Sequence, residues 1–205
     1  MYFVSFPRAG SHWVQAIFEI YFERPRLPRS KDVANRLSWL SEKDENKTPL
    51  WTHTHDKKLN INPTTKDILL IRDPLDSIYS LIQITKKSHT ENILEYMQNY
   101  KNFHDKWIPN AKLVLHYENF TKEKNALSEM KKVSKLLDEP SFRKEDALFC
   151  YKFLDKKTIL TKSKKSVWHN EKALKPEYEQ GRKIFKDKWS KTAKEKGLYY
   201  FLNRF

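Results

Sequence analysis

Between an apolar run, Tyr2-Phe3-Val4-Ser5-Phe6, and an amphipathic stretch from Val14 to Phe22, the chain places Pro7-Arg8-Ala9-Gly10-Ser11-His12-Trp13. These residue types at this spacing suit anion binding. Arg8 brings a permanent, planar positive fork, and Ser11 and His12 bring side-chain donors. Gly10 permits close backbone approach or a left-handed dihedral. The chain has only three glycines, Gly10, Gly181 and Gly197, so the placement of one inside this loop is informative. A loop leading from a buried strand into a helix also aims the first N–H groups of the helix, and the positive end of its dipole, at whatever the loop holds. The expected ligand chemistry is phosphate or sulfate.

A second cluster lies in Ile71-Arg72-Asp73-Pro74-Leu75-Asp76-Ser77-Ile78-Tyr79-Ser80. Arg72 sits where an apolar strand ends. Pro74 suits the first turn of a helix, and Asp73 suits its N-cap. Ser77 and Ser80 fall on one helical face. Arg72 and Ser80 can then converge on one anion at the carboxyl edge of a sheet, where open α/β sheets bind ligands. The plainer alternative pairs Arg72 with Asp73 or Asp76 and leaves Ser80 as an ordinary helix-surface residue. The third cluster is Trp51-Thr52-His53-Thr54-His55-Asp56. On a strand His53 and His55 share a face, and a histidine at a strand end is a natural general base near neutral pH. A metal pair lacks a third ligand at suitable spacing, so no metal site is expected. The remaining alternative is a pair of structural histidines.

The elements that must position these groups are legible from periodicity. Tyr2–Phe6, Leu50–His53, Asp67–Ile71 and Lys112–His116 read as strands, and Ile68-Leu69-Leu70-Ile71 is continuously apolar, as in a parallel strand covered on both faces. Helical spacing runs through Leu75–Thr85, Glu91–Trp107 and Leu127–Leu137, and the tail from Pro176 to Phe205 also reads as helical. The stripes of Met and aromatic residues on these helices are core packing. Strand–helix alternation predicts an α/β fold: a single domain over residues 1–205 with a central parallel sheet flanked by helices, opened by a P-loop-like strand–loop–helix. Arg24–Arg29, broken by Pro25 and Pro28, and the lysine-rich Lys156–Lys165 read as irregular.

A formal net charge of +14 over 205 residues points to an anionic partner. The lysines are spread along the chain and no nucleic-acid-binding motif stands among them, so a basic nucleic-acid binder is the weaker alternative to an enzyme. A kinase or NTPase of the P-loop type requires Gly-x-x-x-x-Gly-Lys-Ser/Thr, whereas Gly10-Ser11-His12 lacks the lysine and the upstream glycine. The single cysteine, Cys150, excludes an intrachain disulfide, and its apolar setting predicts a buried thiol. No apolar run is long enough to span a bilayer, and Tyr2–Phe6 lacks the flanks of a signal peptide, so a soluble cytoplasmic protein is expected.

Taken in order, these clusters resemble the sulfotransferases that use 3′-phosphoadenosine 5′-phosphosulfate. Ser5 through Trp13 resembles the family's loop around the 5′-phosphosulfate, usually carrying Lys-Ser-Gly-Thr-Thr-Trp, and Arg72 followed eight residues later by Ser80 resembles its 3′-phosphate motif. His53-Thr54-His55 resembles the Lys-Thr-His that supplies the base. Leu115-His116-Tyr117-Glu118-Asn119-Phe120 resembles the strand ending in Tyr-Glu-Asp, and Lys162 through Trp168 a worn version of Arg-Lys-Gly-Lys-x-Gly-x-Trp. The resemblance implies an in-line sulfuryl transfer to a hydroxyl or amine, with 3′-phosphoadenosine 5′-phosphosulfate as donor. It implies that Arg8 contacts the 5′ anion and the bridging oxygen, that Ala9, Gly10, Ser11 and His12 line the 5′-phosphate, and that Trp13 packs on adenine with Tyr117 near it. Arg72 and Ser80 would bind the 3′-phosphate, with Lys162, Lys164 or Lys165 closing over it. His55 aligns with the base and His53 with the lysine before it. Arg8 in place of lysine keeps the charge but cannot readily give up a proton. His12 is bulkier than threonine, and Ser163 replaces the late glycine. The acceptor is expected to be a glycan, glycolipid or other small hydroxyl compound, with the basic Arg24–Lys31 stretch a candidate for the cleft mouth. Oligomeric state is not legible.

Overall fold

Four short strands, β1 (Tyr2–Ser5), β2 (Thr52–Thr54), β3 (Ile68–Ile71) and β4 (Leu113–His116), form one parallel sheet in the order β2-β1-β3-β4. The structure is a computed structural model and describes residues 1–24, 48–56, 58–139, 141–153, 176–200 and 202. Among these, six α-helices surround the sheet: α1 (Ser11–Phe22), α2 (Pro74–Thr85), α3 (Thr90–Trp107), α4 (Glu123–Leu136), α5 (Lys144–Phe153) and α6 (Pro176–Glu195). A 3₁₀ turn, Tyr117–Thr121, follows β4 directly.

Alternation along each strand feeds two separate cores. Phe3, Ile68 and Leu70 face α1, α4 and α5, where Ile17, Phe18, Phe120, Met130 and Val133 bury them. Val4, Leu69 and Ile71 face α2, α3 and α6, packed by Leu75, Ile78, Met97, Phe103, Trp107 and Trp189. All four residues of β3 are fully buried, which explains its unbroken apolar run. The helix after β1 and the helix after β3 therefore lie on opposite faces of the sheet, although β1 and β3 are hydrogen-bonded neighbours. Their carboxyl ends form the topological switch point of the sheet, the crevice in which such folds bind ligands.

Several boundaries depart from the sequence expectation for identifiable reasons. β2 begins at Thr52 rather than Leu50, because its ladder partner β1 begins only at Tyr2, opposite Thr52. Leu50 and Trp51 bury their side chains in the core outside the ladder. β1 ends at Ser5, since the chain turns at once through a bond from the Ala9 N–H to the Phe6 carbonyl. α6 stops at Glu195 rather than running to Phe205. Gly197 takes a φ of 71°, and the Leu198 N–H caps the helix by reaching back to the Ala193 carbonyl. α5 escapes the periodicity reading because only Ala147 and Cys150 on it are buried, a stripe too narrow to register. Cys150 is buried as expected, and burial pushes its thiol up to about 11.

Candidate functional site

The loop between β1 and α1 is built from two left-handed residues, Arg8 (φ 71°) and Gly10 (φ 81°). For Arg8 this backbone costs about 1–2 kcal/mol. At Gly10 the requirement is stricter: a Cβ there would stand 2.2 Å from Cε2 of Tyr117, at a φ already unfavourable for any side chain. Tyr117, buried at the head of the 3₁₀ turn, is thus the floor on which the loop rests. Gly10 is also the N-cap of α1 and offers no side-chain cap; the first helical bond runs from the Val14 N–H to the Gly10 carbonyl. The N–H groups of the first turn therefore precede the helical ladder, as an anion cradle requires. Gln15 steadies this turn by donating to the Ser11 carbonyl at 3.2 Å.

Arg72 comes to the same place from β3. Its Nη1 donates to the Arg8 carbonyl at 2.9 Å, and its guanidinium carbon lies 4.5 Å from the centroid of the Tyr117 ring. Its Nε is buried and has no hydrogen-bond partner among the described residues. Arg8 in turn extends its side chain to α2, where Nε donates to Ser80 Oγ at 3.1 Å. The residues read as two anion clusters, Arg8 with its loop and Arg72 with Ser80, are therefore one contiguous group at the carboxyl ends of β1 and β3. Burial lowers the pKa of Arg8, the nearby Tyr178 opposes that shift, and the Arg72 cation reinforces it. Two guanidiniums held together with no carboxylate bonded to either among the described residues are stabilised by an incoming anion.

The alternative in which Asp73 or Asp76 neutralises Arg72 is corrected by the structure. Asp73 caps α2 by accepting from the Asp76 N–H at 2.9 Å, and both carboxylates are drawn the other way by α6. Lys186 lies 3.1 Å from Asp73 and 3.2 Å from Asp76, and Arg182 lies 3.2 Å from Asp76. Two groups missed by sequence reasoning fix the backbone on either side of Arg72: the fully buried Tyr100 of α3 donates its hydroxyl to the Arg72 carbonyl at 2.5 Å, and Glu118 accepts from the Asp73 N–H at 2.8 Å. Burial raises the Tyr100 phenol well above its ordinary pKa, so it stays a donor. Only Tyr100's place on the apolar stripe of α3 was legible; its hydroxyl partner was not.

The histidines gather beside the loop. Pairing of Phe3 with His53 puts His53 and His55 alongside Ser5 at the end of β1. Their rings stand 4.8 Å apart at 80°, and His12 from α1 brings a third imidazole 5.5 Å from His53. His55 Nδ1 lies 2.9 Å from the Ser5 carbonyl oxygen and 3.3 Å from Ser5 Oγ, which is 3.4 Å from His53 Nε2. β2 ends at Thr54, so His55 lies just beyond the strand, yet its ring still comes beside that of His53 at Ser5; the third histidine arrives only through the fold. No group of three or more histidine, cysteine, aspartate or glutamate side chains arranged to hold a metal ion is found among the described residues. Trp13 is half-buried with its ring edge-on to Tyr117 at 5.9 Å. Lys162, Lys164 and Lys165 lie outside the described residues, as do Ser163 and Trp168.

A family model described as "Sulfotransferase domain" matches residues 2–193 of the chain. No curated protein matches it in sequence. Among solved structures, the mouse sulfotransferase SULT7A1 complexed with PAP aligns with a TM-score of 0.52 at 14% identity, covering 98% of this chain and 87% of that one. At that identity the likeness is one of fold.

Proposed function

Because the chain belongs to the sulfotransferase domain family, we propose that it transfers the sulfuryl group of 3′-phosphoadenosine 5′-phosphosulfate to a hydroxyl or amine acceptor by in-line displacement. The observation that carries the donor assignment is the convergence of Arg8 and Arg72 at the switch point, joined through the Arg8 carbonyl and without a carboxylate partner among the described residues. A donor with phosphate at both the 3′ and 5′ positions of one ribose presents two anions a few bonds apart, which this pair of cations matches.

The α1 N-terminus, with Ala9, Gly10, Ser11 and His12, receives the 5′-phosphate, and Arg72 and Ser80 receive the 3′-phosphate. Ser80 accepts from Arg8 Nε, so its own hydroxyl hydrogen remains to donate to an anion. Trp13 and Tyr117 supply the aromatic surface for adenine, and Lys162, Lys164 or Lys165 completes the 3′ side. At the reacting centre the acceptor oxygen or nitrogen gives its proton to His55 and forms a bond to sulfur. The bond from sulfur to the bridging oxygen breaks with its electron pair left on the 5′-phosphate. Arg8 stabilises that charge electrostatically and keeps its own proton. His53 lies next to His55 and next to the loop, a second imidazole at the reacting centre. A glycan, glycolipid or small hydroxyl compound is the acceptor class we propose, in the cytoplasm.

Nucleotide selectivity tests the reading. In the presence of EDTA the protein should bind 3′-phosphoadenosine 5′-phosphate and show weak or no affinity for ATP. Binding of ATP that depends on magnesium, with none of the bisphosphate, would move the chain to the kinase class.

A further inference from the structure

We infer that Ser5 is a positioning residue for the histidine pair, holding both His55 and His53 in the Nδ1–H tautomer and so directing the Nε2 lone pair of His55 to the acceptor; this rests on His55 being the base. A carbonyl oxygen only accepts, so the 2.9 Å contact between the Ser5 carbonyl and His55 Nδ1 places a hydrogen on Nδ1. In the neutral ring the lone pair is then on Nε2. Ser5 Oγ, 3.3 Å from the same Nδ1, is a second acceptor for that N–H. In the proposed arrangement its single hydrogen goes to the other neighbour, Nε2 of His53 at 3.4 Å, and His53, accepting at Nε2, carries its own hydrogen on Nδ1.

Ser5 is placed to impose this order. It is fully buried, it is the last residue of β1, and it is held in the sheet opposite Leu70 of β3, while β2 pairs with the preceding residues of β1 and brings both histidines alongside. His53 is held further by Phe3 on one side, ring centroids 6.4 Å apart, and by His12 on the other. When His55 takes the acceptor's proton at Nε2, its Nδ1–H stays on the Ser5 carbonyl, so the ring keeps its orientation and the new positive charge faces a carbonyl dipole. A polar residue at the end of an otherwise apolar strand was the only trace of this role in the sequence.

The test reads the tautomers directly by NMR of protein labelled with ¹⁵N-histidine at about pH 8, where ordinary imidazoles are neutral. Signals are assigned with His53→Gln and His55→Gln. In the wild type, both rings should show a protonated Nδ1 and an unprotonated Nε2. In Ser5→Ala, His55 should keep that pattern through the carbonyl, whereas His53 should revert to Nε2–H, the form favoured by free imidazole. Ser5→Thr should restore the wild-type spectrum. Unchanged affinity of Ser5→Ala for 3′-phosphoadenosine 5′-phosphate would show that the loop is intact. An Nε2–H signal for His55 or His53 in the wild type overturns the assignment, as does a His53 spectrum indifferent to Ser5→Ala. If Ser5→Ala does not fold, the wild-type and Ser5→Thr spectra decide alone. Should the tautomers be as described while His55→Ala retains full turnover, the base assignment fails and the positioning by Ser5 stands.

Discussion

In the proposed site Arg8, Arg72 and Gly10 each have a distinct expected mutational signature. Removing a charged hydrogen-bonding group from an anion costs about 1.5–3 kcal/mol, or roughly ten- to a hundred-fold in affinity. Arg72→Lys is expected to behave almost as badly as Arg72→Ala. The Arg72 guanidinium stacks on Tyr117 while donating to the Arg8 carbonyl, and a lysine cannot do both. Gly10→Ala drives a methyl into the Tyr117 ring, so it should destabilise the fold by about 1–3 kcal/mol and weaken nucleotide binding as well. Thermal melts and binding isotherms on the same sample separate the two effects. For His55→Ala the expected loss is about 10²–10⁴ in turnover with donor affinity retained, measured by sulfate transfer to any competent acceptor.

Elements explain why those residues meet. α2 is pinned at its start by Asp73 as cap and Pro74 in the first turn, which puts Ser80 two turns along, within reach of Arg8. α6 then covers α2 through Lys186, Arg182 and the packing of Phe185 and Tyr178 on Tyr79. Burial alone would lower the Lys186 pKa, but Asp73 and Asp76 outweigh it and the pKa is raised. The contribution of Lys186 to stability is therefore complete below the ordinary lysine pKa and is lost as pH rises through the raised value. Lys186→Met should therefore remove part of the alkaline decline in stability, as read by melting temperature against pH. Tyr100→Phe should weaken nucleotide binding although Tyr100 is wholly buried, because the Arg72 carbonyl loses its anchor. The cap, the proline and the Arg72–Ser80 spacing were legible because they are local. The Tyr100 and Glu118 anchors join residues 28 and 45 positions apart, and no periodicity reports them. The same holds for His12, which meets His53 only once α1 and β2 flank the same end of β1.

At the scale of the molecule, four strands and most helices were visible from hydrophobic pattern, since β3 is buried along its whole length and helices such as α3 and α4 bury a periodic apolar stripe. Ladder limits were not, because β2 can pair only as far as β1 extends. α5, with two buried residues, left too little trace. Folding also buries a histidine: His104 of α3 is fully enclosed, donates from Nδ1 to the Tyr100 carbonyl at 2.8 Å, and has its pKa lowered by burial to about 4. Between pH 6.5 and about 4 the unfolded chain takes up a proton that the folded one refuses. Stability should fall over that window by up to about 3 kcal/mol. Denaturant titrations of the wild type and His104→Leu should show the acid slope reduced in the variant.

The central claim is that the strand ends of β1 and β3 present one site for a doubly phosphorylated adenosine. Calorimetric titration of 3′-phosphoadenosine 5′-phosphate in EDTA, against the wild type, Arg8→Ala and Arg72→Ala, measures it most directly. One site in the wild type, weakened about ten-fold or more in each variant with the fold preserved, is the expected result. Absence of binding by the wild type, or equal affinity in all three proteins, would contradict it.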